Sequence, residues 1–492
     1  MHRELETDVL VVGGGVGGCA AAWAALRRGH RVVMSEPTDW IGGQLTSQAV
    51  PPDEHPWIEH FGCTRTYRRL RDEIRTHYRR FYPLTERARA LPHLNPGNGF
   101  VSAICHEPRV SHAVLESFLR PYVSGRRLTL LTEHAPEAVE TEGDRVTAVT
   151  LRARGEAGPL ALGNRPLGEP VTVKARWIID ASELGDLLPL GGVEYVTGAE
   201  ARTETGEPNA PLEARPDNMQ AISWCFVIDY DHHGDHTIVR PRDYDFWRAY
   251  DPTLSPPWGS LLLSFSATHP ITLEPVVRTF DPVAPQPERG PMDLWTFRRI
   301  ADRKSFVDGA YESDIVLVNW PQIDYIPGNV IDVSAEEQKR HLEGARQLSL
   351  SMLYWMQTEA PRPDGGTGWR GLRPRGDVTD TADGLAKAPY VRESRRIRGR
   401  FTVKEQHVGL EARMAETGKS ADAVRAAEFA DSCGIGAYRI DLHPSTGHDN
   451  YIDVGALPFQ IPLGALIPVR VRNLLAGAKN LSVTHITNGC YR

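Results

Sequence analysis

Five glycines fall in six positions, Gly13-Gly14-Gly15-Val16-Gly17-Gly18, directly after a β-branched apolar run and at the head of an Ala-rich segment. Binding a pyrophosphate calls for that pattern. Gly13 permits a tight turn, Gly15 lets phosphates approach the backbone, and Gly18 allows a helix to pack on a strand. Val16 stands just before the helix whose free N–H groups and positive dipole end would meet the phosphates. Glu36, with Pro37 beside it, closes the next apolar run 18 residues after Gly18, where an acidic side chain holds ribose hydroxyls. A glycine-rich turn that holds nothing is the alternative, and the strand-turn-helix-strand context argues against it.

A second concentration of reactive groups lies near the C-terminal end. Charged and apolar residues alternate through 438–443, which predicts that Arg439, Asp441 and His443 share one face of an extended strand. Three ionisable groups are costly to bury unless they pair with one another or face a ligand. The imidazole has the right pKa range to take a substrate proton. Arg439 could grip a carboxylate or developing oxyanion. A solvated edge with an Asp–Arg pair competes with that reading. His485 and Asn488 sit in a polar stretch, 484–488, that is functional or structural with equal ease. Arg392, Arg395 and Arg396 form a charge run, and most such runs are solvated faces. The six cysteines include no C-x-x-C pair, so neither a zinc ribbon nor a disulfide framework is expected. Cys63 and Cys105 read as inert thiols. His232, His233 and His236, among Asp229, Asp231 and Asp235, read as a polar hairpin loop, and no metal is expected.

The dinucleotide is expected to be FAD. Glu36 is followed by Trp40-Ile41-Gly42-Gly43-Gln44, and a G-G-x segment there, Gly43 and Gln44 included, runs beside the cofactor in many flavoproteins. Gly434-Ile435-Gly436 is not followed by an Ala-rich helix, so a second fingerprint for NAD(P)H is lacking. With residues 11–18, 40–44, 95–97, 177–186, 319–321, 390–396 and 458–492, the chain resembles the FAD-dependent oxidoreductase family of the glutathione-reductase-like superfamily. That resemblance implies a Rossmann-like α/β FAD domain built from non-contiguous segments, with an inserted α+β substrate domain. It implies that Asp180, Ala181 and Asp186 form a second FAD motif, although Asp186 could equally be a helix N-cap. It further implies that Gly477 and Asn480 deliver a loop to the isoalloxazine ring. Asn488 would face the flavin, and the chain is expected to continue beyond Arg492 into a flavin-clamping helix.

These groups need elements to hold them. Residues 9–13, 30–35, 128–131, 145–151 and 171–180 read as strands, 17–28 and 334–358 as helices, and 60–92 as helical. Ser334 and Glu337 form a capping box. Residues 154–170 read as a hairpin tip, 193–330 as a mostly antiparallel second domain, and 360–385 as a loop over a cleft. The predicted division is 1–190 (FAD domain, first part, with a helical insertion at about 50–95), 191–400 (substrate domain) and 401–492 (return to the FAD domain). At 492 residues and a net charge of −7, the chain can bury a full core and offers no electrostatic case for nucleic acid. No apolar run approaches membrane-spanning length. A cytoplasmic enzyme is expected, with a homodimer left open. Its expected reaction is hydride transfer from a C–H alpha to oxygen or nitrogen of a small molecule to flavin N5, with O2 or another acceptor restoring the cofactor. The rivals are an NAD(P)H-dependent flavin monooxygenase and a non-catalytic FAD-binding module.

Overall fold

The computed structural model describes residues 3–153, 168–284 and 293–492. The expected hairpin tip at 154–170 therefore lies largely outside the described residues. At the centre is a seven-stranded mixed sheet. Its strands are β1 (Arg3–Val12), β2 (Val32–Glu36), β3 (Leu128–Thr132), β4 (His134–Glu142), β5 (Arg145–Ala153), β6 (Pro170–Asp180) and a short return strand, Leu474–Ala476. The order is β3-β2-β1-β6-β5-β4. β1 pairs parallel with β2 and β6, whereas β5 pairs antiparallel with β4 and β6.

The length of β6 explains how a distant segment joins the sheet. Along one edge it follows β1 throughout. Along the other, residues 170–174 pair with β5, and residues 178–180 pair in parallel with Leu474–Ala476. The return strand takes the edge that β5 leaves free, which sets residues 476–479 beside the end of β1.

Helix α1 (Val16–Arg27) crosses from β1 to β2 and buries Cys19, Ala22, Trp23 and Leu26 against the sheet. Gly29, at φ 90°, lets the chain turn back immediately after the helix. Helix α2 (Arg65–Phe81) buries Leu70, Ile74 and Tyr78, with Thr64 capping its start. The helix Ala335–Thr358 begins on the capping box of Ser334 and Glu337. Between these regions a four-stranded antiparallel sheet orders Arg299–Ala301, Ile315–Val318, Phe226–Tyr230 and Leu372–Pro374. The last of these corrects the expectation for 360–385. Leu372–Pro374 is an edge strand on Phe226–Tyr230, and the Gly and Pro residues around it make turns rather than a cover for the cleft described below.

Candidate cofactor cleft and acid–base site

The turn between β1 and α1 is built by contact. At Gly13 a side chain would meet the Ala181 carbonyl at 2.1 Å, at Gly17 the Gly477 carbonyl at 2.0 Å, and at Gly18 the Gly13 carbonyl at 1.9 Å. Gly15 differs, because a Cβ there would find nothing within 4 Å. Its open side is a cleft of about 700 Å³, lined by Gly15, Val16, Gly17, Gly43, Gln44, Ala181 and Gly477–Lys479 among others. No side chain caps the N-terminus of α1, so its first N–H groups stay available beside Gly15. Gly42, at φ 114°, donates its N–H to the Gly14 carbonyl at 2.7 Å, which carries Gly43 and Gln44 onto the cleft wall. Much of the remaining wall comes from residues 52–55, Ile58, 62–64, Tyr67, 433–438, Tyr390 and 490–492, none of them near the glycines in sequence.

Several of the predicted cofactor residues stand one layer behind that surface. The Glu36 carboxylate accepts the Gly14 N–H at 3.0 Å and the Thr38 N–H and hydroxyl at 2.9 and 2.8 Å. Burial pushes this carboxyl up to about 7, against those three donors. Pro37 follows it, and Gly18 packs inward. The Asp180 carboxylate accepts from the Ser182 N–H and hydroxyl. Asn480 donates to the Asp180 carbonyl and accepts from the Ala478 N–H, so it shapes the loop 476–480. The Asn488 side chain donates to the Arg392 carbonyl inside the protein. Asp186 begins the helix Leu187–Leu190 without capping it and lies 3.6 Å from Arg395.

The strand Ile440–Leu442 buries its apolar side chains and pairs with Ile452–Val454. His443 Nδ1 lies 2.6 Å from Asp324 Oδ2. A carboxylate only accepts, so Nδ1 carries the proton and Nε2 presents a lone pair. Nε2 stands 3.9 Å from Asp441 Oδ2. The other Asp324 oxygen accepts from the Ser223 hydroxyl and from Arg392 at 3.0 Å. Burial opposes the charge on Asp324, but Arg392 and His443 outweigh it and hold the carboxyl below its ordinary value. Burial and then Arg392 lower the His443 pKa, so the ring is neutral near pH 7. The His443 side chain is 17% exposed, while those of Asp324 and Arg392 are 2%. His443 therefore reaches open space where Asp324 and Arg392 do not, beside Asp441, which is 18% exposed.

Arg439 stands apart from this group. It is 46% exposed and pairs with Asp453, because the residue lies at the outer end of the strand. The guanidinium beside Asp441 belongs instead to Arg492, at 2.7 Å, and Arg492 also lines the cleft. The 392–396 run is likewise no solvated face. Arg392 and Arg396 are buried on Asp324 and Glu200. His485 is buried 2.8 Å from Glu393, whose charge outweighs desolvation and raises the imidazole pKa. The loop histidine His236 pairs with Asp231, and among the described residues no three His, Cys, Asp or Glu side chains converge as a metal site. Nor is any helix among them long and apolar enough to cross a membrane.

A parallel strand-turn-helix unit with an uncapped helix end on a deep cleft defines a dinucleotide-binding α/β protein. The family described as FAD dependent oxidoreductase matches residues 8–492, and the chain belongs to that family. It is an enzyme, and its cofactor is FAD. The cleft suits such a group, since its volume lies in the range of cofactor sites and Gly15 leaves room where a side chain would stand. Two curated relatives match over short stretches. N,N-dimethylglycine/sarcosine dehydrogenase of Chromohalobacter salexigens is 44% identical over 74 residues, 14% of this chain and 10% of the relative. FAD-dependent monooxygenase ntnJ of a Nectria species is 37% identical over 62 residues, 13% of this chain and 15% of the relative. The matches thus span a small part of either relative's length. Among solved structures, L-proline dehydrogenase from P. horikoshii shows 14% identity and a TM-score of 0.19, covering 42% of this chain and 26% of that one. A geranylgeranyl bacteriochlorophyll reductase-like protein from Thermoplasma acidophilum shows 16% identity and a TM-score of 0.25, covering 46% and 48%. Likenesses this partial carry no weight for the reaction.

Proposed function

We propose that this chain oxidises a small organic molecule at a C–H bond alpha to oxygen or nitrogen, with His443 taking the substrate proton. The observation that carries the reading is the Asp324–His443 pair, which points a neutral imidazole at open space two residues from Asp441, itself held by the cleft residue Arg492. When bound, FAD supplies a two-electron sink that accepts the hydride. Asp324 fixes the ring and stabilises the imidazolium that forms, and Arg392 keeps Asp324 ionised. Arg492, Tyr390 and Tyr438 border the cleft near this group and orient the substrate. Residues 1–190 and 401–492 then form a glutathione-reductase-like FAD domain, and 191–400 the inserted substrate domain. The sheet pairing of Leu474–Ala476 with β6 supports that division.

The test is anaerobic mixing of the flavin-loaded protein with a panel of alcohols, amines and amino acids, read as loss of flavin absorbance. A member of the panel is expected to bleach the flavin. The His443→Asn variant, with full flavin content, is expected to do so about 10²–10⁴-fold more slowly. Equal rates in the two proteins would remove His443 from the reaction.

In this reading Glu36, 5% exposed and behind the cleft surface in the free protein, comes within reach of the ribose hydroxyls of bound FAD on lone pairs left free by Gly14 and Thr38. Those bonds favour the ionised carboxylate, so binding lowers a pKa that stands near 7 in the free protein. The affinity for FAD is therefore full above pH 7. It falls as pH drops, by up to about tenfold per unit, until the lower pKa of the bound form is reached. Titrating apoprotein with FAD between pH 5.5 and 8 checks the sign. Affinity that rises on acidification would contradict it, and Glu36→Gln should flatten the dependence.

A further inference from the structure

Residues 60–92 hold nine arginines against three carboxylates, in a chain whose net charge is −7. Arg71 and Arg75 are consumed inside the protein by Glu54 and Glu59. The rest lie toward the surface, where Arg68 also pairs with Glu59 and Arg69 with Glu73. Arg65, Arg69 and Arg80 share the outer face of α2, opposite buried Leu70, Ile74 and Tyr78. At the far end of the helix, Arg79 donates to the Leu91 and Pro92 carbonyls at 2.7 and 3.1 Å, and Arg89 donates to the Arg79 carbonyl. Those bonds go to neutral groups and leave the positive charge in place.

Large apolar side chains stand out among these cations. Phe61 is 62% exposed and stacks on Trp57 at 6.1 Å, and Phe81 is 65% exposed under Arg80 at 5.9 Å. A ring contact of 6.0 Å between His60 and His93 joins the Trp57–Phe61 loop to the segment whose carbonyls Arg79 bonds. Tryptophan, phenylalanine and arginine are the residue types that anchor protein interfaces. The inner side of the same segment walls the cofactor cleft through His55, Ile58, Gly62, Cys63, Thr64 and Tyr67. A 17-residue helix runs about 25 Å, close to the width of a standard footprint of about 800 Å². One partner can therefore cover the surface from the cleft rim to the end of α2.

We propose that this arginine–aromatic surface docks an acidic one-electron carrier protein, which reoxidises the enzyme. The inference rests on the reading above, in which electrons enter from a substrate C–H. Each of two oxidised carrier centres gains one electron, and the two protons released with them pass to solvent. Opposite charge selects and steers such a partner. A lipid surface fits less well, because the apolar face of α2 is packed inside and its outer face interposes Asp72 and Thr76 among the arginines.

The holoenzyme, photoreduced without oxygen, would be mixed with excess oxidised cytochrome b5, a small acidic haem protein, and followed at the haem absorbance. Sedimentation of the same mixture reads binding. The double variant Arg65→Glu/Arg80→Glu leaves every cleft residue in place, and flavin content and melting temperature verify its fold. We expect the second-order rate to fall about tenfold or more as salt rises from roughly 20 to 200 mM. We expect a similar loss in the variant at low salt, with co-sedimentation lost and reduction of 1,4-benzoquinone unchanged within about twofold. Equal cytochrome rates in variant and wild type would overturn the proposal. So would self-association of the wild type that the variant abolishes, or capture of the wild type by phosphatidylglycerol vesicles alongside a salt-independent cytochrome rate. A wild type that takes up no flavin would instead refute the cofactor reading on which the proposal stands.

Discussion

Replacing Gly15 with valine is expected to give a folded protein that cannot hold FAD. A Cβ at this position meets no atom within 4 Å and faces the open cleft, so the apoprotein is expected to fold. The added isopropyl group would stand in the cleft where the phosphates must approach the backbone. We expect the FAD dissociation constant to rise about 100-fold or more, equivalent to roughly 3 kcal/mol, with the melting temperature of the apoprotein unchanged. The neighbouring Gly17→Val supplies the contrast. Its side chain would collide with the Gly477 carbonyl at 2.0 Å and push the return strand off β6, so soluble yield itself should fall. Visible absorbance and thermal melting separate the two outcomes. Flavin retained by Gly15→Val would place the cofactor elsewhere.

The second large effect concerns the buried ion pair. Asp324→Asn strips the counter-charge from Arg392, whose side chain is 2% exposed. Leaving one buried charge without its partner costs about 3–5 kcal/mol, more than most single substitutions. His443→Asn removes a neutral ring and one hydrogen bond, and should cost about 1–2 kcal/mol. Urea unfolding at pH 7.5 measures both. The wild-type excess over Asp324→Asn should shrink in acid, for a carboxyl with a depressed folded pKa stabilises above its unfolded value and loses that contribution as pH falls through the folded one. Equal unfolding midpoints for the two variants would mean that the pair does not hold this region together.

What could be read in the sequence, and what could not, divides along physical lines. The glycine turn, its strand and helix, and Gly43–Gln44 were legible because each rests on local pattern. The bridge that brings Gly42 to Gly15 needs only the conformational freedom of adjacent glycines. The far walls were not legible. Residues 52–55, 62–64, Tyr67, 433–438, Tyr390 and Arg492 meet in space through tertiary packing, and no periodicity relates them. The charge run at 392–396 was misjudged because local composition does not say which arginine has a buried carboxylate waiting. Asp324 carries the one available signal, a lone carboxylate in the otherwise apolar and amide stretch 315–326. A buried acid there demands a cation, and Arg392 supplies it. Arg439 shows the converse. Alternation puts it on one face with Asp441 and His443, but the strand is only Ile440–Leu442, and Arg439, beyond its end, pairs with Asp453 instead.

The most direct measurement is anaerobic titration of the purified, flavin-loaded protein with NADH and then NADPH, followed by absorbance. An enzyme whose electrons come from its own substrate should keep an oxidised flavin spectrum with either nucleotide, and lose it on addition of a substrate from the panel. Rapid bleaching by NADH or NADPH alone would contradict the account and assign the chain to nicotinamide-driven chemistry.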